Sequence, residues 1–439
     1  MPKIMKGEDA NPQAQLRAAL ELAGDAFNGT VKTVEGVHQS IVGTIAKVIP
    51  AAHPVGWVSG FVYARVRNIG QLSFGIAAQG AGLVQALRPG SAASVPSDAR
   101  LGVLAALNGA FGDHLETRGN DLAIPMAFCV EGEQIALTRE ALDKHLPNPT
   151  GSLVILLHGL CLNELQWRHA GEPDFGDRLD ADLGYTALRL RYNSGRHIST
   201  NGKQFAALME TLIAAYPEPI EKLTIIGHSM GGLVARSACY YADKAGHNWV
   251  NQLTELVCLG SPHLGAPLER LGHWFTHSLT RTPFTEPLSS LGKIRSAGIK
   301  DLRHCYLLDE DWHNRDLDAR ESAKPRPLPR LKHVRYYNVA ATLGHAPNDR
   351  MDRWFGDLLV PVTSAITNAN ANSGSGSGSR AMNNRGRDGR VFFGMSHFRL
   401  IHDPDVYAAI YAWLTGKPQR SRRASKAQKI KDDQVNTAQ

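Results

Sequence analysis

The sequence predicts an α/β protein built on a mostly parallel β-sheet with helices on both faces. Three short apolar runs have the composition of strands buried on both faces of a sheet: Leu153–Leu157, Leu223–Ile226 and Leu253–Leu259. Segments with the apolar spacing of helices lie between them, including 202–215 and 232–244. Because strands and helices alternate along the chain, we expect parallel strands joined by helical crossovers.

Length and composition indicate a soluble globular protein. The chain has 439 residues, 43% of them hydrophobic and 20% charged, which is enough for a catalytic domain and an additional segment. It contains no run of 18 apolar residues, and its first residues lack the apolar stretch of a signal peptide. The five cysteines are odd in number and lack Cys-x-x-Cys spacing. We therefore expect reduced thiols and a cytoplasmic location.

The net charge of +7 is concentrated in two segments of low complexity. Residues 416–439 hold seven Lys or Arg against two Asp, and residues 366–390 hold four Arg against one Asp. The rest of the chain is close to neutral, so nucleic acid is not expected as the main partner. The compositions predict a flexible loop at 366–390 and a disordered basic tail at 416–439.

Residues 1–115 are predicted to form a helical N-terminal extension. Apolar residues recur at three- and four-residue steps, a linker-like stretch covers Gly90–Asp98, and a further helix is predicted at Leu101–Leu115. We interpret the extension as a segment that packs on the catalytic domain or on a second subunit. The alternative is peripheral contact with lipid or a polymer granule, which the lack of Lys/Arg enrichment on the polar faces disfavours. The sequence leaves the oligomeric state open.

The strand predicted at Leu223–Ile226 leads into a G-x-S-x-G pattern, the signature of a nucleophile elbow, from Gly227 to Gly231. A serine that stands above a sheet on a tight turn needs small residues two positions before and after it. We therefore predict that Ser229 is a nucleophile and that the N–H of Met230 is one donor to an oxyanion. The alternative is a glycine-rich turn with a structural role only.

A second oxyanion donor is predicted at the end of the strand Leu153–Leu157. The strand is followed by His158, Gly159 and Leu160, and the N–H of Leu160 occupies the place where hydrolases hold this donor. His158 is expected to shape the loop and to border the substrate rather than to transfer protons.

A serine nucleophile needs a general base. In proteins with this type of elbow, the basic histidine follows the last strand of the sheet. His397 and His402 both follow the strand predicted at 390–393. We prefer His397 because it lies in the loop directly after the strand, whereas His402 is nearer the closing helix.

The base in turn needs a carboxylate that orients it, and this acid follows a late strand. Asp349, Asp352 and Asp357 all follow the strand predicted at 333–340. Asp357 is preferred because the Val-Pro pair after it supplies an apolar anchor for its loop.

Residues 263–330 are predicted to form a cap over the carboxyl ends of the strands, because they are inserted between two strands of the sheet. His263, Phe275 and Phe284 are predicted to line the substrate site. The alternative is that the aromatic residues form the core of the cap itself.

Together these motifs resemble the α/β-hydrolase lipases and esterases, in particular the bacterial branch similar to GPI inositol-deacylases and triacylglycerol lipases. The matching residues are His158-Gly-Leu160, Gly227–Gly232, Gly260-Ser-Pro-His-Leu-Gly-Ala-Pro267, Asp357-Leu-Leu-Val-Pro361 and Ser396-His397. Ser261 replaces the threonine usual in that group, and Leu358 replaces a common glycine. The resemblance covers roughly residues 120–415 and implies an α/β-hydrolase catalytic domain there.

The resemblance implies cleavage of carboxylic esters, including lipid esters, through an acyl-enzyme on a Ser-His-Asp triad, with no metal and no organic cofactor. Two alternatives use the same triad. One is an intracellular polyester (polyhydroxyalkanoate) depolymerase whose N-terminal helices meet the granule, and the other is an acyltransferase that passes the acyl group to an alcohol. A non-catalytic scaffold is a third alternative, which the presence of all five site elements disfavours.

Overall fold

A computed structural model describes most of the chain after residue 96. The described residues are 97–168, 171–266, 296–317, 325–343 except 327, and 389–417, with 360, 365, 367–368 and 383–384. The chain divides into two compact units, of which the second (105–114, 124–275 and 294–439) contains the sheet. Of the first unit, residues 97–104 and 115–123 are described.

Helices and strands alternate along most of the second unit. The α-helices among the described residues are α1 (Ser97–Thr117), α2 (Arg139–His145), α3 (Phe175–Leu183), α4 (Ile198–Ala215), α5 (Met230–Ala245), α6 (Trp249–Gln252), α7 (Ala297–His304), α8 (Asp309–Trp312) and α9 (Pro404–Thr415). The 3-10 helices in the described ranges span Glu164–Trp167 and His397–Ile401. In this part of the chain, no helix has the length and apolar character needed to cross a bilayer.

Within the described part of the chain, eight strands form one sheet and two further strands pair with each other. The strands are β1 (Ala127–Val130), β2 (Glu133–Gln134), β3 (Ser152–Leu157), β4 (Thr186–Arg191), β5 (Lys222–His228), β6 (Leu253–Leu259), β7 (Arg335–Thr342), β8 (Thr367–Asn368), β9 (Asn383–Asn384) and β10 (Gly389–Phe393). The sheet has the order β10-β7-β6-β5-β3-β4-β1-β2. Neighbours from β10 to β4 pair in parallel, whereas β1 is antiparallel to β4 and β2. The predicted mostly parallel sheet is confirmed.

Helices cover both faces of this sheet because alternate residues of its apolar strands point to opposite sides. On one face, Val154 and Leu156 of β3 belong to a buried cluster with Phe175 of α3 and Tyr407 of α9. On the other face, α5 contacts β3, β5 and β6 and packs on α4. A parallel, doubly covered sheet with a strand–turn–helix elbow after β5 is an α/β-hydrolase fold.

Two helices differ from the sequence-based expectation for identifiable reasons. The helix predicted at 202–215 begins at Ile198, whose N–H donates to the Asp301 carboxylate at 2.8 Å. A cap from a side chain so distant in sequence cannot be read from local pattern. Helix α3 is not among the predicted helices, yet Asp174 and Asp177 form a capping box at its start.

Helix α1 confirms the helix predicted at Leu101–Leu115, and the middle of this helix is buried. Every residue from 105 to 112 is buried, whereas a helix on a protein surface buries one stripe only. This part of α1 is therefore an interior element of the second unit.

The other predicted segments are described only in part. Helices α7 and α8 lie within the cap predicted at 263–330. Residues 1–96, most of the loop predicted at 366–390, and the tail after 417 lie outside the described residues. Their predicted structures stay predictions.

Candidate active site

Ser229 lies on a sharp turn between β5 and α5. Its backbone has φ 53° and ψ −119°, and a positive φ is strained for a residue that carries a side chain. The Ser229 N–H donates to the Leu259 carbonyl at 2.8 Å, which ties the turn to the end of β6. The residue is 8% exposed, so it borders the surface of the core rather than being sealed within it. Strain of this kind persists where surrounding structure enforces it, and such positions cluster at functional sites.

The first and last glycines of the G-x-S-x-G pattern are required by close backbone approach. A Cβ on Gly227 would lie 2.4 Å from the Gly232 nitrogen. A Cβ on Gly231 would lie 2.6 Å from the carbonyl oxygens of Leu157 and His158. A side chain at Gly227 would force β5 from α5, and one at Gly231 would force α5 from the end of β3, which gives the sequence spacing its physical cause.

The loop after β3 passes directly beside the serine. A Cβ on Gly159 would lie 3.3 Å from the Ser229 Cβ, and Leu160 follows as a buried residue. Met230 is the first residue of α5, and N–H groups in the first turn of a helix have no partner within that helix. The two predicted oxyanion donors thus belong to two segments that meet around Ser229.

His158 holds this loop in place through both of its ring nitrogens. Nδ1 lies 2.8 Å from the Gly159 carbonyl, and Nε2 accepts the Tyr192 N–H at 3.2 Å, so Nδ1 carries the proton. The Tyr192 ring stacks on the imidazole, and its hydroxyl donates to the His158 carbonyl at 2.7 Å. Burial lowers the pKa of His158 to about 4. Because no ring nitrogen is left for a ligand, we replace the predicted substrate contact by a positioning role.

His263 has a similar place in the loop after β6. Arg236 donates to Nδ1 at 3.0 Å, and Nε2 lies 3.0 Å from the Asn338 side-chain oxygen. A guanidinium only donates, so Nδ1 is unprotonated and Nε2–H donates to Asn338. Burial, and then the charge of Arg236, hold the pKa of His263 well below its usual value. This ring joins the loop to α5 and β7, and a positioning role replaces the predicted substrate contact here too.

His397 lies at the same edge of the sheet as Ser229. It opens the 3-10 helix after β10 and is 2% exposed. Its carbonyl lies 3.3 Å from Nε2 of His228, and the two rings are 4.7 Å apart between centroids. A Cβ on Gly260 would lie 2.8 and 2.9 Å from Cε1 and Nδ1 of His397. Since Gly260 follows Leu259, which accepts the Ser229 N–H, His397 borders the segments that flank the serine.

The structure describes the alternative base, His402, but none of the three candidate acids. His402 caps the far end of the same 3-10 helix and is partly exposed. Asp349, Asp352 and Asp357 lie outside the described residues, as do Phe275 and Phe284. The choice of acid and the aromatic lining of the cap stay predictions.

Two buried ion pairs of strand β4 are absent from the predictions made from sequence. Arg191, at the end of β4, binds Glu164 through two nitrogens and also donates to the Gly132 carbonyl at 2.8 Å. Arg189 binds both carboxylate oxygens of Asp174 at 2.8 and 2.7 Å. Alternating arginines in the otherwise apolar strand β4 are the signal that could have revealed them, because a buried charge requires a partner. The Glu164 pair anchors the far end of the loop that begins at His158.

Three buried neutral histidines lead to a prediction about acid stability. Burial lowers the pKa of His158 to about 4, and that of His228 and His263 well below the usual value. Below their usual pKa of 6.5 the unfolded chain binds protons that the folded chain does not. The stability that these neutral rings contribute is therefore fully present above pH 6.5, and the free energy of unfolding is expected to fall as the pH decreases below that value.

Urea unfolding at about pH 7.5 and about pH 5.5 measures this difference, because most carboxylates titrate below that window. A midpoint that is the same at both pH values would contradict the neutral state of the buried rings.

The comparisons with known proteins agree with the resemblance inferred from the motifs. Residues 148–325 match the family model of the PGAP1-like alpha/beta domain, a match that spans less than half of the chain. It includes Ser229, the loop after β3 and the loop after β6, but it ends before His397. No curated protein matches the sequence.

Solved structures similar to this chain include a lipase and an esterase. Bacillus licheniformis lipase BlEst2 in its mature form is 15% identical, with a TM-score of 0.36, over 61% of this chain and 93% of that chain. Naproxen esterase (carboxylesterase NP) from Bacillus subtilis is 12% identical, with a TM-score of 0.33, over 60% of this chain and 84% of that chain. At such identities and TM-scores, these likenesses add nothing to the assignment of activity. Residues 148–325 carry the sequence pattern of the PGAP1-like alpha/beta domain within a larger α/β-hydrolase fold.

Proposed function

We propose that this protein is a serine hydrolase that cleaves carboxylic esters. The observation that carries the proposal is the strained Ser229 on the turn between β5 and α5, with the His397 ring at the same edge of the sheet. A tight, glycine-flanked turn with only a structural role would have no reason to place a serine at φ 53°. The match to the PGAP1-like domain model over residues 148–325 supports the same assignment.

The chemistry follows from the roles of these groups. His397 takes the proton from the Ser229 hydroxyl, and the oxygen attacks the ester carbonyl carbon. The N–H groups of Leu160 and Met230 stabilise the oxyanion of the tetrahedral intermediate, and Asp357 orients the imidazole. Return of the proton to the leaving alcohol gives an acyl-enzyme, which water activated by His397 then hydrolyses.

Ester or lipid substrates fit the proposal, and the polyester depolymerase and the acyltransferase would use the same residues. No described residue favours either alternative over simple hydrolysis. Among the described residues, no group of His, Cys, Asp and Glu is arranged to hold a metal ion.

Reaction with a fluorophosphonate probe, followed by a series of p-nitrophenyl esters of increasing acyl length, tests the proposal. We expect stoichiometric labelling of Ser229 and hydrolysis of at least part of the series. Adding an alcohol acceptor distinguishes transfer from hydrolysis, since a transferase releases the acyl ester in place of the acid. Absence of labelling and of ester cleavage would overturn the proposal and favour the scaffold.

Gly260→Ala tests the position of the base. Gly260 has φ 64°, and a Cβ there would press on the His397 ring at 2.8 Å. We expect kcat for ester hydrolysis to fall by about 10- to 100-fold, because a small misplacement of a catalytic group is costly.

Gly184→Ala is the matched control for this substitution. Gly184 has φ 69°, and nothing lies within 4 Å of an added Cβ. Both variants carry the backbone strain of about 1–2 kcal/mol, but only Gly260→Ala should lose activity. Equal kcat values in the two variants would show that His397 is not the base.

A further inference from the structure

The buried middle of α1 packs against the loop that carries the predicted oxyanion donor. A Cβ on Gly109 would lie 2.2 Å from Sγ, 2.7 Å from Cα and 2.8 Å from the nitrogen of Cys161. Two of these atoms are backbone, so the helix lies directly against the peptide chain of the loop. Cys161 is the residue that follows Leu160.

Cys161 is held in an unusual conformation at this contact. It has φ 57°, which is uncommon for a residue with a side chain. Its N–H donates to the Ser194 hydroxyl at 3.0 Å in the loop after β4. The peptide group that joins Leu160 to Cys161 is therefore held by Ser194 through its N–H and lies against α1 at Gly109.

Further bonds fix α1 to the two loops around this contact. Ser296 donates to the Gly109 carbonyl at 2.6 Å, and the Asn193 amide donates to the Gly112 carbonyl at 2.9 Å. A Cβ on Gly195 would lie 2.0 Å from the Asn108 carbonyl oxygen. The helix thus cannot shift away from the loop without breaking bonds to the segments that precede α4 and α7.

From these contacts we infer that residues 105–114 of α1 form a positioning element of the oxyanion hole. Gly109 sets the place of Cys161, and through it the place of the Leu160 N–H. The inference rests on the proposed ester hydrolase function. It also gives a role in catalysis to residues 105–114, which the sequence analysis assigns to the N-terminal extension and not to the catalytic domain. Donors of this type act only when they point at the developing oxyanion, so a displaced loop lowers the rate more than it lowers substrate binding.

Gly109→Ala in the full-length chain tests this inference. We expect kcat for a p-nitrophenyl ester to fall by about 10- to 100-fold with little change in KM, because loss of one oxyanion donor costs up to about 10³-fold. The inhibition constant of an alkylboronic acid should rise by a similar factor. Its adduct with Ser229 carries a negatively charged tetrahedral group that uses the same donors.

Two glycines of the same chain supply matched controls. A Cβ on Gly202 would lie 2.3 Å from Ser237 Oγ, a contact as tight as that at Gly109 but between α4 and α5. Gly202→Ala should lower the unfolding temperature. The ratio of the boronate inhibition constant to the substrate KM should stay the same as in the unaltered chain. Gly102 lies in α1 itself with nothing within 4 Å of an added Cβ, so Gly102→Ala should leave both kcat and boronate affinity unchanged.

The outcomes separate this inference from the proposed function. If the unaltered chain hydrolyses esters and binds the boronate, but Gly109→Ala matches Gly202→Ala in both measurements, the inference is overturned. If the unaltered chain neither hydrolyses esters nor binds the boronate, the proposed ester hydrolase function is rejected, whatever the Gly109→Ala variant shows. Should Gly109→Ala fail to fold, Ser296→Ala removes the hydrogen bond that holds the Gly109 carbonyl of α1. Unchanged boronate affinity in that variant would equally overturn the inference.

Discussion

Replacing Ser229 by alanine is expected to lower the rate of ester hydrolysis by at least about 10³-fold, the scale of triad knockouts. The loss follows from removal of the only atom of this residue that can form the acyl-enzyme. Alanine at φ 53° carries the same backbone strain as serine, and the tight contacts of Gly227 and Gly231 are unaltered. The fold should therefore survive, which thermal unfolding can verify. Purified Ser229→Ala that keeps more than about a tenth of the activity would remove this residue from the mechanism.

His397→Ala is expected to produce a loss of similar size, because Ser229 without a base is a weak nucleophile. The double variant with Ser229→Ala should be no less active than either single variant, since residues that act as a unit are strongly non-additive. His402→Ala is the matched control and should change kcat less than about threefold. It lies at the other end of the 3-10 helix and is partly exposed.

The reverse ranking of the two histidine variants would move the base to His402. Additive losses in the double variant would mean that Ser229 and His397 serve independent roles. Because the His397 ring is nearly fully buried, unfolding temperatures of both variants must be measured beside the rates.

The parts of the fold that local pattern determines could be predicted well. Strands β3, β5 and β6 are buried on both faces, and buried parallel strands are mainly apolar, so their runs stand out in the sequence even though β6 contains the buried Glu255. The elbow could be predicted because Gly227 and Gly231 lie two positions before and after Ser229. At both positions the close approach of backbone leaves no room for a side chain. The start of helix α2 is also a local feature, since Thr138 caps it by accepting the Ala141 N–H and threonine is a favoured N-cap residue.

The parts that depend on distant contacts could not be predicted. The start of α4 is set by Asp301, a residue more than a hundred positions further along the chain. Substrate contact is the prediction from sequence for the rings of His158 and His263. Their actual partners, Tyr192 and the Arg236–Asn338 pair, come from other strands and helices. Apolar spacing places α1 as a helix but does not say what surrounds it.

The most direct test of the central claim is mass spectrometry of the protein quenched during turnover of a slowly deacylated ester. We expect the chain to gain the mass of one acyl group on the peptide that contains Ser229, and Ser229→Ala to gain none. Ester hydrolysis that proceeds without an acyl group on Ser229, or with one on another residue, would contradict the central claim.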